Sequence, residues 1–338
     1  MPGMPDRPGA SRRRSAAAFP VPGGACVPRV ALVTDPHAPP GETVVDRGFV
    51  SEQCVTGVNG TGEGTGAPPP GSHSSPQPRT SGTSGTSGTT PRSSPAWLLT
   101  RSALSQLIAD RAVRAKLQAA LVYEILQPGQ QSLAGIAAKP VVTFASATAL
   151  EDAVTGGRLP AGTYGVLYDP EAWSFTPAAE QRDPVQAATR AAAVAHAHGL
   201  RLIVTPALNL TTVLAPGTRQ PRWQTFLDLN LAGRLAGVAD IVEIQAQSLE
   251  RDSATYTAFV QAATSQAITA NPRVIMLAGL STNPPGAPVD SQQLTAAIRA
   301  TRSMVDGYWL NIPGQGPRCP TCNAARPDVA IQTLQSLP

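Results

Sequence analysis

The sequence predicts an α/β fold: a (β/α) barrel of the TIM type, either with one or two strands not recognised or irregular or incomplete in its closure, preceded by a disordered N-terminal region. Three observations predict it. From residue 140 onward, short β-branched or apolar runs alternate with Ala-rich helical stretches, as in a parallel sheet covered by helices. No glycine-rich phosphate loop follows an early strand, which speaks against an open doubly wound sheet; "GTGEGTG" (60–66) lacks both strand and helix context. Polar residues gather at the C-terminal ends of almost every strand, where barrel active sites are built.

Residues 1–96 are rich in Pro, Gly, Ser, Thr and Arg, and "SGTSGTSGTTPRSSP" (81–95) has the composition of a flexible linker. Such a stretch buries too little apolar surface to offset its ordering entropy and is read as a disordered tail and linker. Residues 97–338 are read as a single barrel-like domain with room for a substantial core. "WLLTRSALSQLIADRAVRAKLQAALVYEIL" (97–126) has apolar residues near helical spacing and no Gly or Pro, which predicts a long N-terminal helix. Strands are expected at 140–146, 163–169, 201–208, 240–247, 273–280 and 307–313. Helices are expected at 148–155, 184–198, 222–237, 252–270, 290–303 and 326–336. Asp183-Pro184 supplies an N-cap and a first-turn proline, and Gly199 a stop. Six βα units where a closed barrel has eight leave one or two strands unaccounted for. Within 240–247, Glu243, Gln245 and Gln247 alternate with Val242, Ile244 and Ala246, which puts the polar set on the lumen face.

The net charge of +4 comes largely from tail arginines such as Arg12, Arg13, Arg14 and Arg29. No basic helical stripe or aromatic interleaving accompanies it, so no nucleic-acid partner is expected. No run approaches the roughly 18 apolar residues of a transmembrane helix. "RRR" followed by the Pro-broken "SAAAFPVPGGAC" makes a weak export signal. A Ser/Thr/Gly stalk before a globular domain nevertheless suits an extracellular or cell-surface protein; the alternative is a cytoplasmic one.

Elimination narrows the chemistry. Lys116 and Lys139 are the only lysines, and Lys139 precedes its strand at the wrong end of a barrel, which removes a Schiff-base site. His196 and His198, at i, i+2 on a helix, do not face one way, which removes a multi-His metal site and a His-dependent triad. Both are read as solvated residues near a helix C-terminus. Cys26 and Cys54 fall in the tail. Cys319 and Cys322, in "RCPTC", fit a local disulfide, a redox dithiol or half a zinc site, with the disulfide favoured. No cofactor or metal is expected.

What remains is carboxylates, amides, hydroxyls and aromatics. Asp169, Glu171 and Glu243 are the candidate catalytic residues, because paired carboxylates carry glycoside hydrolysis. Glu243 is expected to meet the other two from a facing strand, across the lumen. The competing reading of Asp169-Pro170 is an Asx-turn, and that of Glu243 is a structural network with Gln245 and Gln247. Candidate ligand-binding residues are Trp173, Asn209, Gln245, Gln247, Asn283, Trp309 and Asn311, with Ser146, Thr205 and Ser281 at further strand ends. Glu180 and Asp183 are assigned to a loop and a cap.

The strings "YDPEAWSFTPAAEQRDP", "AGLSTNP" and "GYWLNIPGQGPRCPTC" resemble uncharacterised exported proteins of high-GC actinobacteria, which carry a glycosidase-like barrel after a low-complexity stalk. The resemblance spans about 140–338 and implies fold and export, but no established activity. Two readings follow. One is a cofactor-free carbohydrate-active hydrolase. The other is a non-catalytic exported barrel that binds a glycan, a small molecule or another cell-surface ligand.

Overall fold

The strands missing from the sequence reading lie where a single helix was expected. In the computed structural model, which describes residues 94–284, 287–316 and 323–338, β1 (Ala96–Thr100) and β2 (Val122–Leu126) occupy the two ends of that segment. Between them run α1 (Arg101–Leu107) and α2 (Arg111–Ala119). "AWLLT" and "VYEIL" are nearly all buried, as strands covered on both faces should be, so they carry no alternation to set them apart from the helices they abut. The breaks are made by caps instead of by Gly or Pro. Thr100 accepts the Ala103 N–H, and Asp110 accepts the Val113 N–H.

The other strands are β3 (Ala138–Phe144), β4 (Gly165–Tyr168), β5 (Arg201–Val204), β6 (Ile241–Ile244), β7 (Ile275–Ser281) and β8 (Gly307–Asn311). All eight are parallel and close in chain order, β8 returning to β1. The barrel is therefore complete rather than irregular. Strand β6 ends at Ile244, earlier than expected, because the Ala246 N–H turns back onto the Ile244 carbonyl at 2.8 Å.

Around the barrel lie α3 (Ala147–Thr155), α4 (Ala178–Arg182), α5 (Pro184–Ala197), α6 (Thr211–Leu214), α7 (Arg222–Asp228), α8 (Leu231–Ala236), α9 (Ser253–Ala270), α10 (Ser291–Thr301) and α11 (Pro327–Ser336). The helix expected over 222–237 is split into α7 and α8 by Asn230, at φ 49°, a left-handed conformation that Asn tolerates better than most residues. Asp183 caps α5 as expected, accepting the Gln186 N–H, with Pro184 in its first turn. Gly199, at φ +70°, ends it.

Two apolar layers hold the barrel. The outer one packs strand residues such as Leu99, Val142, Val166 and Val242 against the helices. The inner one fills the lumen with Leu98, Tyr123, Val141, Leu167, Ile203, Ile241, Leu277 and Trp309. Each fully buried Leu or Ile contributes roughly 1.5–3 kcal/mol. The lumen is thus solid below its mouth. No helix among the described residues is long and apolar enough to cross a membrane. Residues 1–93 and the cysteines Cys26, Cys54, Cys319 and Cys322 lie outside the described residues, and with them the expected tail and disulfide.

Candidate active site at the barrel mouth

Strand register brings the carboxylates together. Leu167 on β4 pairs with Ile203 on β5, which pairs with Ile241 on β6, forming one lumen layer. Two residues further along each chain come Asp169, Thr205 and Glu243, the layer directly above. Asp169 and Glu243 are therefore two strands apart, roughly 9–10 Å between Cα atoms at the usual strand spacing. Glu243 does not face Asp169 from across the lumen, as the sequence suggested, since a strand opposite β4 would be β8.

The three acids differ sharply in their surroundings. Asp169 is 8% exposed, and its Oδ1 accepts hydrogen bonds from Thr205 Oγ1 at 2.8 Å and Gln245 Nε2 at 2.9 Å. Gln245 Nε2 also donates to the Thr205 carbonyl at 2.9 Å, fixing the amide over β5. Glu171 is half-buried, and its Oε2 accepts from Asn209 Nδ2 at 3.2 Å. The same Asn209 accepts the Ala172 N–H through Oδ1 at 2.9 Å, so one amide sets both the loop and the acid. Glu243 is completely buried, and neither of its carboxyl oxygens has a hydrogen-bond partner among the described residues. Burial first, then the charges of Asp169 and Glu171, pushes its carboxyl well above the usual carboxylate range.

Room for Glu243 comes from Gly279 on β7. A Cβ there would lie 2.5 Å from Glu243 Oε1 and 2.5 Å from Gln247 Cδ. Gln247 and Glu243 therefore share the space that the missing side chain leaves. Trp309 pairs in register with Gly279 and points into the lumen layer. Its Nε1 is also buried without a partner among the described residues.

The remaining expected site residues stand at the C-terminal ends of strands or in the loops that follow them. Asn283 Nδ2 donates to the Asn323 carbonyl at 3.2 Å and is 5% exposed. Asn311 ends β8, half-buried, and its carbonyl accepts the Thr282 N–H. Ser146 caps α3, and Ser281 Oγ accepts the Asn283 N–H. Trp173 donates from Nε1 to Thr176 Oγ1 at 2.9 Å. Glu180 is a framework residue: its carboxylate accepts from Ser146 Oγ, Thr148 Oγ1, Tyr168 Oη and the Ala147 and Thr148 N–H groups at 2.7–3.2 Å. That places negative charge on the first turn of α3, where the helix dipole favours it.

Sequence reasoning missed Glu250, which is 1% exposed behind the mouth and takes the Ser281 N–H at 3.0 Å through one oxygen, the other being unpartnered among the described residues. Burial pushes its carboxyl up to about 8. Only a tertiary contact reveals it, because "SLERD" reads as a solvated loop. The described histidines and Lys139 lie at the other end of the barrel. His196 Nε2 sits 2.8 Å from Asp240 Oδ2, and the Lys139 ammonium lies 4.2 Å over the Tyr164 ring. No group of three or more His, Cys, Asp or Glu placed to hold a metal occurs among the described residues.

No protein-family model and no curated protein matches the chain. Among solved structures, a chitinase from Chromobacterium violaceum is similar at 12% identity, over 72% of this chain and 100% of that one, with a TM-score of 0.39. Triosephosphate isomerase from Bartonella henselae is similar at 14% identity over 64% and 92%, TM-score 0.38. A structure described as an α-L-fucosidase from Bacteroides thetaiotaomicron matches at 10% identity, TM-score 0.39, and the chain spans 65% of its length. Barrels of unrelated chemistry match equally well, so the likeness says nothing of activity. The class is a closed eight-stranded (β/α) barrel with an acidic mouth.

Proposed function

We propose that this barrel is a carbohydrate-active hydrolase in which Glu243 donates a proton to the glycosidic oxygen and the carboxylates Asp169 and Glu171 stabilise or attack the sugar centre. One observation carries the reading. A fully buried carboxyl with no hydrogen-bond partner among the described residues, its protonated form favoured by burial, stands two strands away from acids held by amide and hydroxyl donors. Environments that push two carboxyl groups apart in protonation are how acid and base roles are divided. The Ser/Thr/Gly-rich composition of residues 81–95 supports an exported, stalked placement.

The proposal requires the 245–247 turn to swing aside, since Glu243 is enclosed in the structure. That enclosure favours a second reading, a non-catalytic glycan-binding barrel. Reducing-end release from a panel of soluble polysaccharides separates them. The hydrolase reading predicts turnover by the native chain and its loss, by at least a thousandfold, in Glu243→Gln, with melting temperature unchanged or raised because the amide carries no charge. Glycan retention without turnover, insensitive to that substitution, would establish the binding module instead.

A further inference from the structure

Phe175 is 50% exposed, the most exposed large hydrophobic residue among the described residues; the other exposed one, Ile268, lies near the far end of α9. Phe175 sits in the loop after β4, four residues beyond Glu171, on the C-terminal face where the acids stand. That loop is unusually well tied. Thr176 Oγ1 accepts from the Glu171 N–H at 3.2 Å and from Trp173 Nε1 at 2.9 Å, and donates to the Ala145 carbonyl at 2.9 Å. One donor and two acceptor sites are all that a hydroxyl has. Gln181 Nε2 donates to the Trp173 and Thr176 carbonyls at 2.8 and 2.7 Å. Trp173 then braces Phe175 nearly at right angles, ring centroids 5.1 Å apart.

A flexible loop would fold such a ring back onto the protein. This one leaves it half exposed on the face where the candidate acids stand, braced by Trp173, which bonds the same hydroxyl that takes the Glu171 N–H. Rigid aromatic presentation lowers the entropy cost of binding, and a ring face suits a ligand with a flat C–H surface and polar edges. We propose that Phe175 is a stacking platform at the rim, taking the apolar face of a pyranose unit in a chain whose next units reach Glu171 and Glu243. This rests on the carbohydrate reading of the mouth and names the ligand: a polymer of six-membered sugar rings.

The test is native-gel affinity electrophoresis of the full Glu243→Gln chain and its Phe175 variants, in gels containing hydroxyethylcellulose, xylan, glycol chitin or, as a furanose control, inulin. The expected result is retardation by at least one pyranose polymer and not by inulin. Phe175→Ala should weaken it at least tenfold and Phe175→Trp should retain it, with all melting temperatures alike. Equal retardation of Phe175→Ala and its parent would overturn the platform and leave the glycan reading standing. No retardation of the parent by any pyranose polymer would overturn both.

Discussion

At Gly279 a Cβ would lie 2.5 Å from Glu243 Oε1 and 2.5 Å from Gln247 Cδ, so the smallest side chain at that position decides where two of the mouth's polar groups sit. Gly279→Ala should cost about 1–3 kcal/mol of stability by overpacking, measured by urea unfolding, and should expose Gln247 as it is displaced. An unchanged midpoint would mean that the two side chains yield freely. A glycine inside "MLAGLS" is a visible sign of close approach, and the 243/245/247 alternation marks the lumen face in the bare sequence. Glu250 carries no such mark. Its partner lies on β7, thirty-one residues further along, where it accepts the Ser281 N–H. The expected pairing of Glu243 across the lumen was also illegible, because strand order around a barrel cannot be counted while two strands are hidden.

Among the elements, α3 shows how distant residues finish a local structure. Ser146 caps it from within, whereas Glu180 reaches its first turn from more than thirty residues away. Glu180→Ala would strand the buried Ala147 N–H and the Tyr168 hydroxyl, and should cost about 2–4 kcal/mol. The loss should appear as a lower denaturation midpoint together with faster amide exchange in 146–149. A loss confined to α4 would contradict the assignment. The N-cap of α5 was legible because Asp183, Pro184 and Gln186 are neighbours in sequence. Residues 97–126 were not, since two strands buried almost throughout have lost the period-two signal that separates a strand from a helix.

For the whole molecule, the buried acids set a pH dependence. Glu243 and Glu250 both have folded-state values raised above the ordinary 4.5, the latter to about 8, so the folded chain binds more protons than the unfolded one in that window. Stability is then complete below about pH 4.5 and falls as pH rises towards 8. Asp240 works oppositely. Against the effect of burial, the Leu202 N–H, His196 and Arg201 hold its carboxyl below the ordinary 3.8, and that contribution is lost only as pH falls through this range. Melting temperature should therefore peak in mild acid and decline towards pH 8, and Glu250→Gln should flatten part of the decline; a native profile that rises from pH 5 to 8 would refute the buried-acid account. The most direct test of the central claim is a carbon-13 titration of the Glu243 carboxyl in the full chain, its resonance assigned by its disappearance in Glu243→Gln. A carboxyl that titrates well above the usual carboxylate range, and whose value drops when Asp169 is replaced by Asn, is the predicted result. An ordinary carboxylate titration, indifferent to Asp169, would contradict it.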